Sequence, residues 1–142
     1  MPATIVHPVP SFLLWIVVAL LLGGPVQAKA QADGVRSAKS GVYTAAQAAR
    51  GKDLYVLLCR SCHTPESHTG AIFDAWWGGK RLSDLFEYVQ ERMPKNEPAS
   101  LTAQEYADVV AYLLRMNALP AGEDELSTDV AALRKIRIDK AK

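Results

Sequence analysis

Cys59-Arg60-Ser61-Cys62-His63 is the stretch on which the fold turns. Two cysteines separated by two residues and followed at once by a histidine form the pattern of covalent c-type haem attachment. The spacing has a physical reason. It puts both sulfurs within reach of the two vinyl groups of one porphyrin, while the adjacent imidazole can turn onto the iron. Cys59 and Cys62 are therefore read as tethers and His63 as an iron ligand, with one covalent haem c as the cofactor. Two other chemistries share the cysteines. A thiol–disulfide pair calls for a βαβ setting, and a zinc site calls for four ligands, commonly from a second Cys or His pair. The sequence supplies neither, and His68 would add at best one incomplete ligand.

Around this motif, 142 residues suffice for one domain. With 49% of them apolar, they can bury one modest core, and a large multi-layer enzyme is excluded. The formal charge is +1 with both signs interspersed, so the chain carries no nucleic-acid footprint. Both cysteines of the chain lie in the motif, leaving none for a disulfide framework. Upstream, residues 12–22 form an apolar run that ends in Gly23-Gly24-Pro25 and then in Val26-Gln27-Ala28 or Ala28-Lys29-Ala30. This reads as a secretory signal peptide over 1–28, because the run is short of the roughly 20 residues that span a hydrocarbon core. The region before Phe12 carries no Lys or Arg, only His7, so an uncleaved N-terminal anchor stays open beside cleavage. Export fits covalent haem, which such proteins acquire outside the cytoplasm, and places the protein in the periplasm or medium with no membrane span in the mature chain.

Residues 29–42 are small, polar and without period, and read as a flexible leader. A haem domain is expected over 43–120. Its first helix starts after Thr44, with Gln47 completing a capping box, and Ala48, Leu54, Tyr55 and Leu58 lead an apolar side into Cys59. Gly51 interrupts this helix at about 1 kcal/mol relative to Ala, or marks a close helix approach. After His63 the turn formers of 64–70 predict a loop beneath the haem. Ile72, Phe73, Trp76 and Trp77 then form an aromatic cluster that reads first as core. Alternatively, either buried indole N–H needs a partner that a haem propionate would supply. Lys80 and Arg81 follow, solvated or neutralising a propionate.

Ser83 is the expected cap of the next helix, with Asp84 in its first turn and Leu82, Leu85, Phe86 and Val89 at helical spacing. That helix ends at Arg92-Met93-Pro94, where Pro94 pushes Met93 into an extended conformation. Thr102 and Glu105 make a capping box for the last core helix, whose stripe is Tyr106, Val109, Val110 and Leu113, and Asn117 and Pro120 close it. Residues 121–142 hold a charged patch and a short amphipathic turn at Leu126, Val130 and Leu133. They read as a strap across the core, with a partner-docking helix as the alternative. Ile136-Arg137-Ile138 is too brief to predict a sheet. For the sixth iron ligand, His7 and Met1 leave with the signal peptide, and His68 lies only five residues from His63. Met116 sits on the apolar stripe of the closing helix. Met93 stands in a loop after a helix and is the predicted ligand.

With Cys59, Cys62, His63 and the Met93-Pro94 loop in place, the chain resembles the class I monohaem c-type cytochromes over about residues 41–120. The resemblance implies an all-α cytochrome c fold of four to five helices wrapped around one covalently bound haem, with Gly51 and Tyr55 facing Val109 and Tyr112. The stretch from Met93 through Ser100-Leu101-Thr102, Glu105-Tyr106 and Ala111-Tyr112-Leu113 is similar to cytochrome domains associated with periplasmic, often quinoprotein, dehydrogenases. One departure stands out. Many relatives carry a proline about a dozen residues after the haem histidine, whose carbonyl orients the imidazole, whereas Pro65 is the only proline between His63 and Met93. The implied function is that of an electron carrier rather than an enzyme. It would exchange single electrons with redox protein partners, a dehydrogenase or quinol-oxidising complex on one side and an acceptor such as a terminal oxidase on the other. A cytochrome subunit held permanently by a dehydrogenase is the first alternative. A haem sensor or peroxidase with a labile distal ligand is the second.

Overall fold

Thr44 sits in an extended conformation and its hydroxyl accepts from the Gln47 N–H at 3.0 Å, so α1 begins at the expected cap and runs Ala45–Leu58. The structure, a computed structural model, describes residues 1, 3 and 34–140. The expected signal peptide lies outside these apart from Met1 and Ala3. Four further α-helices follow among the described residues: α2 (Gly70–Trp77), α3 (Leu82–Arg92), α4 (Ala103–Met116) and the single turn α5 (Val130–Leu133). Two short 3-10 turns, Ala38–Ser40 and Pro65–His68, and a pair of two-residue strands, β1 (Arg36–Ser37) and β2 (Ile136–Arg137), complete the order. The fold is the expected all-α cytochrome c fold, and no helix among the described residues is long and apolar enough to cross a membrane.

The helices assemble around the crossing of α1 and α4. A Cβ on Gly51 would lie 1.8 Å from the Asp108 carbonyl oxygen and 3.0 Å from the Val109 nitrogen, so only glycine lets the two backbones touch there. Four residues on, the rings of Tyr55 and Tyr112 meet with centroids 5.4 Å apart. The expected pairing of first and last helix therefore holds, with backbone rather than side chain opposite Gly51. The stripe residues Tyr106, Val109, Val110 and Leu113 of α4 are buried. So are Ala107, Asp108, Ala111 and Leu114, because α3 packs on α4 beside α1.

Three local expectations change. Gln47 does not reach back to its own helix terminus. Fully buried, it accepts from the Leu126 N–H at 2.6 Å and donates to the Leu126 carbonyl at 3.2 Å, since an arriving tail offers a buried main chain that water cannot satisfy. Helix α3 starts before Ser83. Arg81 is the cap residue, its N–H held by the Asp84 carboxylate at 3.0 Å, and Ser83 is buried. And α2 is a helix where only a cluster was read, because its apolar residues all face one cavity.

The tail straps across the side of α1 remote from that cavity. Gly122 donates to Tyr43 at 2.7 Å and crosses Gly41 so tightly that a Cβ on Gly122 would come 2.3 Å from the Gly41 oxygen. Arg50 holds Asp108 at 2.8 and 2.9 Å and Glu125 at 2.8 Å. Strand β2 pairs in parallel with β1, and Ile138 bonds through both main-chain groups to Gly79 and Lys80. Leu126, Leu133, Ile136 and Ile138 are buried, each contributing about 1.5–3 kcal/mol. They belong to the protein's own core cluster. Within the segment read as a leader, Ala38 and Val42 are buried and residues 36–37 are a strand. Small polar residues looked unstructured because their partners lie about a hundred positions away.

Candidate haem site

The motif forms where α1 ends. The Cys59 N–H makes a last helical bond to Tyr55 at 2.9 Å, and the chain then doubles back. Cys62 N–H donates to the Cys59 carbonyl at 3.1 Å and His63 N–H to the same oxygen at 2.9 Å. One oxygen thus gathers the turn, and Cys59, Cys62 and His63 all line a cavity of about 920 Å³. That volume lies within the range of small-molecule and cofactor sites. Cys59 is partly buried, and burial pushes its thiol above the ordinary range, whereas Cys62 is exposed. Both are free thiols.

Helices α2, α3 and α4 supply the other walls. Ile72, Phe73, Trp76 and Trp77 come from α2, Leu85, Tyr88 and Val89 from α3, and Val109 and Leu113 from α4; the loop from Met93 to Leu101 completes the lining. Met93 is the residue after α3. Its φ of −130° and ψ of 148° are extended, as Pro94 demands. Its N–H still bonds to Val89 at 3.0 Å, while its carbonyl accepts from the Tyr106 hydroxyl at 2.9 Å. Met116 packs against the core and lines no part of the cavity, as its place on the α4 stripe implied.

Two buried tyrosines thus hold the main chain of two residues that line the cavity. Tyr106 holds Met93, and Tyr55, 2% exposed, donates to the His63 carbonyl at 3.1 Å. Burial, reinforced by the Cys59 thiol, pushes the Tyr55 hydroxyl up to about 12, so it remains a donor. Sequence reasoning placed both on apolar stripes without these roles. The available signal was only that a buried phenol needs a partner.

The remaining expected residues divide. Trp77 is half-buried with its ring edge-on to Tyr88 at 5.3 Å and the Lys80 ammonium 5.0 Å from its centroid. Trp76 is 65% exposed at the cavity wall, so it is not the core residue of the simpler reading. Arg81 is not among the residues that line the cavity. Its backbone is bridged to Arg137 of the tail, and its Nη1 is buried without a hydrogen-bond partner. His68, set aside as a ligand, lies beside His63 on the cavity wall with ring centroids 4.6 Å apart. Burial and the neighbouring His63 hold it below the ordinary histidine range.

The chemistry of this lining suits a planar, largely apolar guest: Trp, Phe, Leu, Ile and Val side chains, two thiols and an imidazole on one turn, and a thioether. No group of three or more His, Cys, Asp or Glu among the described residues could hold a metal by side chains alone, as zinc would need. Such a site defines a haem-c electron-transfer domain. Residues 46–113 match the family described as cytochrome c oxidase, cbb3-type, subunit III. That interval contains every residue lining the cavity and stops short of the strap. Neither comparison with curated proteins nor comparison with solved structures gives a match. This match supports a monohaem c-type cytochrome domain, of the kind that carries electrons and exchanges them with redox protein partners.

Proposed function

We propose that the protein is an exported, freely diffusing carrier of single electrons, with haem c bonded through Cys59 and Cys62 and its iron held between His63 and Met93. The observation that supports this reading is one cavity lined both by Cys59, Cys62 and His63 and by Met93. When bound, the haem supplies the one-electron ferric/ferrous couple. The chain's own residues tune and shield it. As ligands, His63 and the neutral, soft thioether of Met93 would favour ferrous iron, raise the potential and occupy the positions that oxygen or peroxide chemistry would need. Leu85, Val89, Val109 and Leu113 exclude water from the inner side. The Trp77 indole and the Lys80 ammonium at its face are the donors available to a propionate. The apolar run of 12–22 supports export to the periplasm, where a dehydrogenase or quinol-oxidising complex would donate and a terminal oxidase accept.

The family description favours a second reading, in which the chain is a cytochrome subunit kept by a membrane oxidoreductase such as a cbb3-type oxidase. Copurification separates the two: a carrier elutes alone, a subunit with a larger partner. The ligand set is tested by the reduced-minus-oxidised spectrum of the exported protein with and without carbon monoxide. Wild type should not bind carbon monoxide, whereas Met93→Ala should bind it, lose the thioether-to-iron charge-transfer band and drop in potential by a measurable part of the roughly 0.8 V that axial ligands span. Met116→Ala should keep the band. Loss of the band in Met116→Ala and its survival in Met93→Ala would reverse the assignment.

A further inference from the structure

Residues 93–101 join α3 to α4 without helix or strand, and residues 95–100 are exposed. A segment of this kind opens readily unless something ties it down. Within it the Glu97 N–H donates to the Pro94 carbonyl at 2.9 Å, and the Ala99 N–H reaches back to the Gln90 carbonyl of α3 at 3.2 Å. Ala99 has a φ of 60°, a left-handed conformation that an alanine keeps only when its surroundings impose it. The loop therefore owes its shape to its anchors and not to local preference.

One side chain meets both ends of it. Tyr106 follows the first turn of α4, whose start is fixed by the Thr102–Glu105 capping box, and a helical side chain leans back toward its own N-terminus. The hydroxyl is thereby delivered to the loop. It donates to the Met93 carbonyl at 2.9 Å and accepts from the Leu101 N–H at 3.4 Å. The second bond is long, but the oxygen is the same, so Met93 and Leu101 are tied to one atom of a residue that is 1% exposed. Packing alone would need only the ring. A phenylalanine would fill the same space and touch neither main-chain group.

We propose that Tyr106 is the positioning residue of Met93: its hydroxyl latches both ends of the 93–101 loop to the start of α4, and so governs how easily another ligand displaces the thioether. The proposal rests on the reading of Met93 as an iron ligand. Without the hydroxyl, the Met93 carbonyl and the Leu101 N–H must turn to water, which favours the open loop. An outside ligand competes for the position only while the thioether is away, so its apparent affinity follows the open fraction.

The test uses the full haem-loaded ferric protein, with imidazole as the competing ligand and two readouts: the thioether-to-iron charge-transfer band, and amide exchange at Leu101. Tyr106→Phe should lose the band at an imidazole concentration about tenfold lower than wild type, as a tenfold larger open fraction requires, and its Leu101 amide should exchange about tenfold faster. Gln47→Ala, which weakens the fold on the strap side, should leave both readouts at wild type. The wild-type protein supplies an arm that needs no variant, should Tyr106→Phe assemble poorly: bound imidazole should strip protection from Leu101 while Val110 in the core keeps its own. Leu101 protection that bound imidazole does not change overturns the proposal, as does a Tyr106→Phe protein with wild-type displacement. So does an increase that Gln47→Ala matches, since that is the mark of lost stability alone. Met93→Ala probes the underlying reading separately. Survival of the band there would remove Met93 as ligand, whereas its loss beside an unaltered Tyr106→Phe would keep Met93 and sink the latch alone.

Discussion

On the strap side of α1, Gln47 and Leu126 satisfy each other through two hydrogen bonds, and the Asp108 carboxylate, 5% exposed, is met by Arg50 and Gln104. On the cavity side the same helix ends in two thiols, and the apolar side chains that accompany them stand open: Leu57 is 76%, Trp76 65% and Ile72 50% exposed. The strap side closes on itself with residues from both ends of the domain. The cavity side is a surface shaped for something apolar that is not peptide. One half of the core is thus complete in the chain, and the other half is shared with the cofactor, so the two should respond differently to substitution.

The largest effect is expected from removing the tethers. Cys59→Ala with Cys62→Ala should give exported protein with no haem signal after denaturing electrophoresis, and the cavity side should lose amide-exchange protection while the strap side keeps much of its own. Retained covalent haem would break the attachment reading, and uniform loss of protection would break the division into two halves.

Gly51→Val attacks the seam between them. Its Cβ would overlap the Asp108 carbonyl, and overpacking against backbone belongs at the upper end of the usual range, about 3 kcal/mol. Chemical denaturation of the haem-loaded protein measures it, and a midpoint equal to wild type would mean that the helices do not cross there. Gln47→Ala should be milder. It strands the buried N–H and carbonyl of Leu126, at about 1–3 kcal/mol, and should leave the haem spectrum and potential unchanged. A potential that moved with it would show that the strap tunes the iron.

The smallest effect concerns acid. Glu105 accepts from the Thr102 N–H and hydroxyl, which hold its carboxyl below the ordinary 4.5. A depressed folded value means that this cap contributes fully above about 4.5 and fades as pH falls through the lower value. Glu105→Gln should flatten the acid limb of stability slightly, with no change at pH 7 in carbon monoxide binding. An unchanged acid limb would deny the carboxylate its role.

Much of the cavity side was legible because its determinants are close in sequence. Five consecutive residues define the turn, Pro94 dictates the backbone of Met93 next to it, and Leu82, Leu85, Phe86 and Val89 betray their helix by spacing. The capping box of Thr102 and Glu105 is likewise three residues wide. The misreadings share the opposite property. Gln47 was given a local partner when its true one is 79 residues away. Ser83 was taken for a cap that Arg81 and Asp84 make between them, residues 36–42 for a leader, and Arg81 for a cavity residue although the tail claims its backbone.

The turn that carries Cys59, Cys62 and His63, the extended conformation at Met93 and the helical class are consequences of close spacing, steric restriction at proline and hydrophobic period. Each acts within a few residues and survives in any tertiary setting. Which polar side chain meets which buried main-chain group does not follow from such rules, because an amide or guanidinium can satisfy a partner anywhere the fold delivers one. The strap decides where Gln47, Arg50 and Arg81 point, and the start of α4 decides, through Tyr106, what holds the Met93 carbonyl.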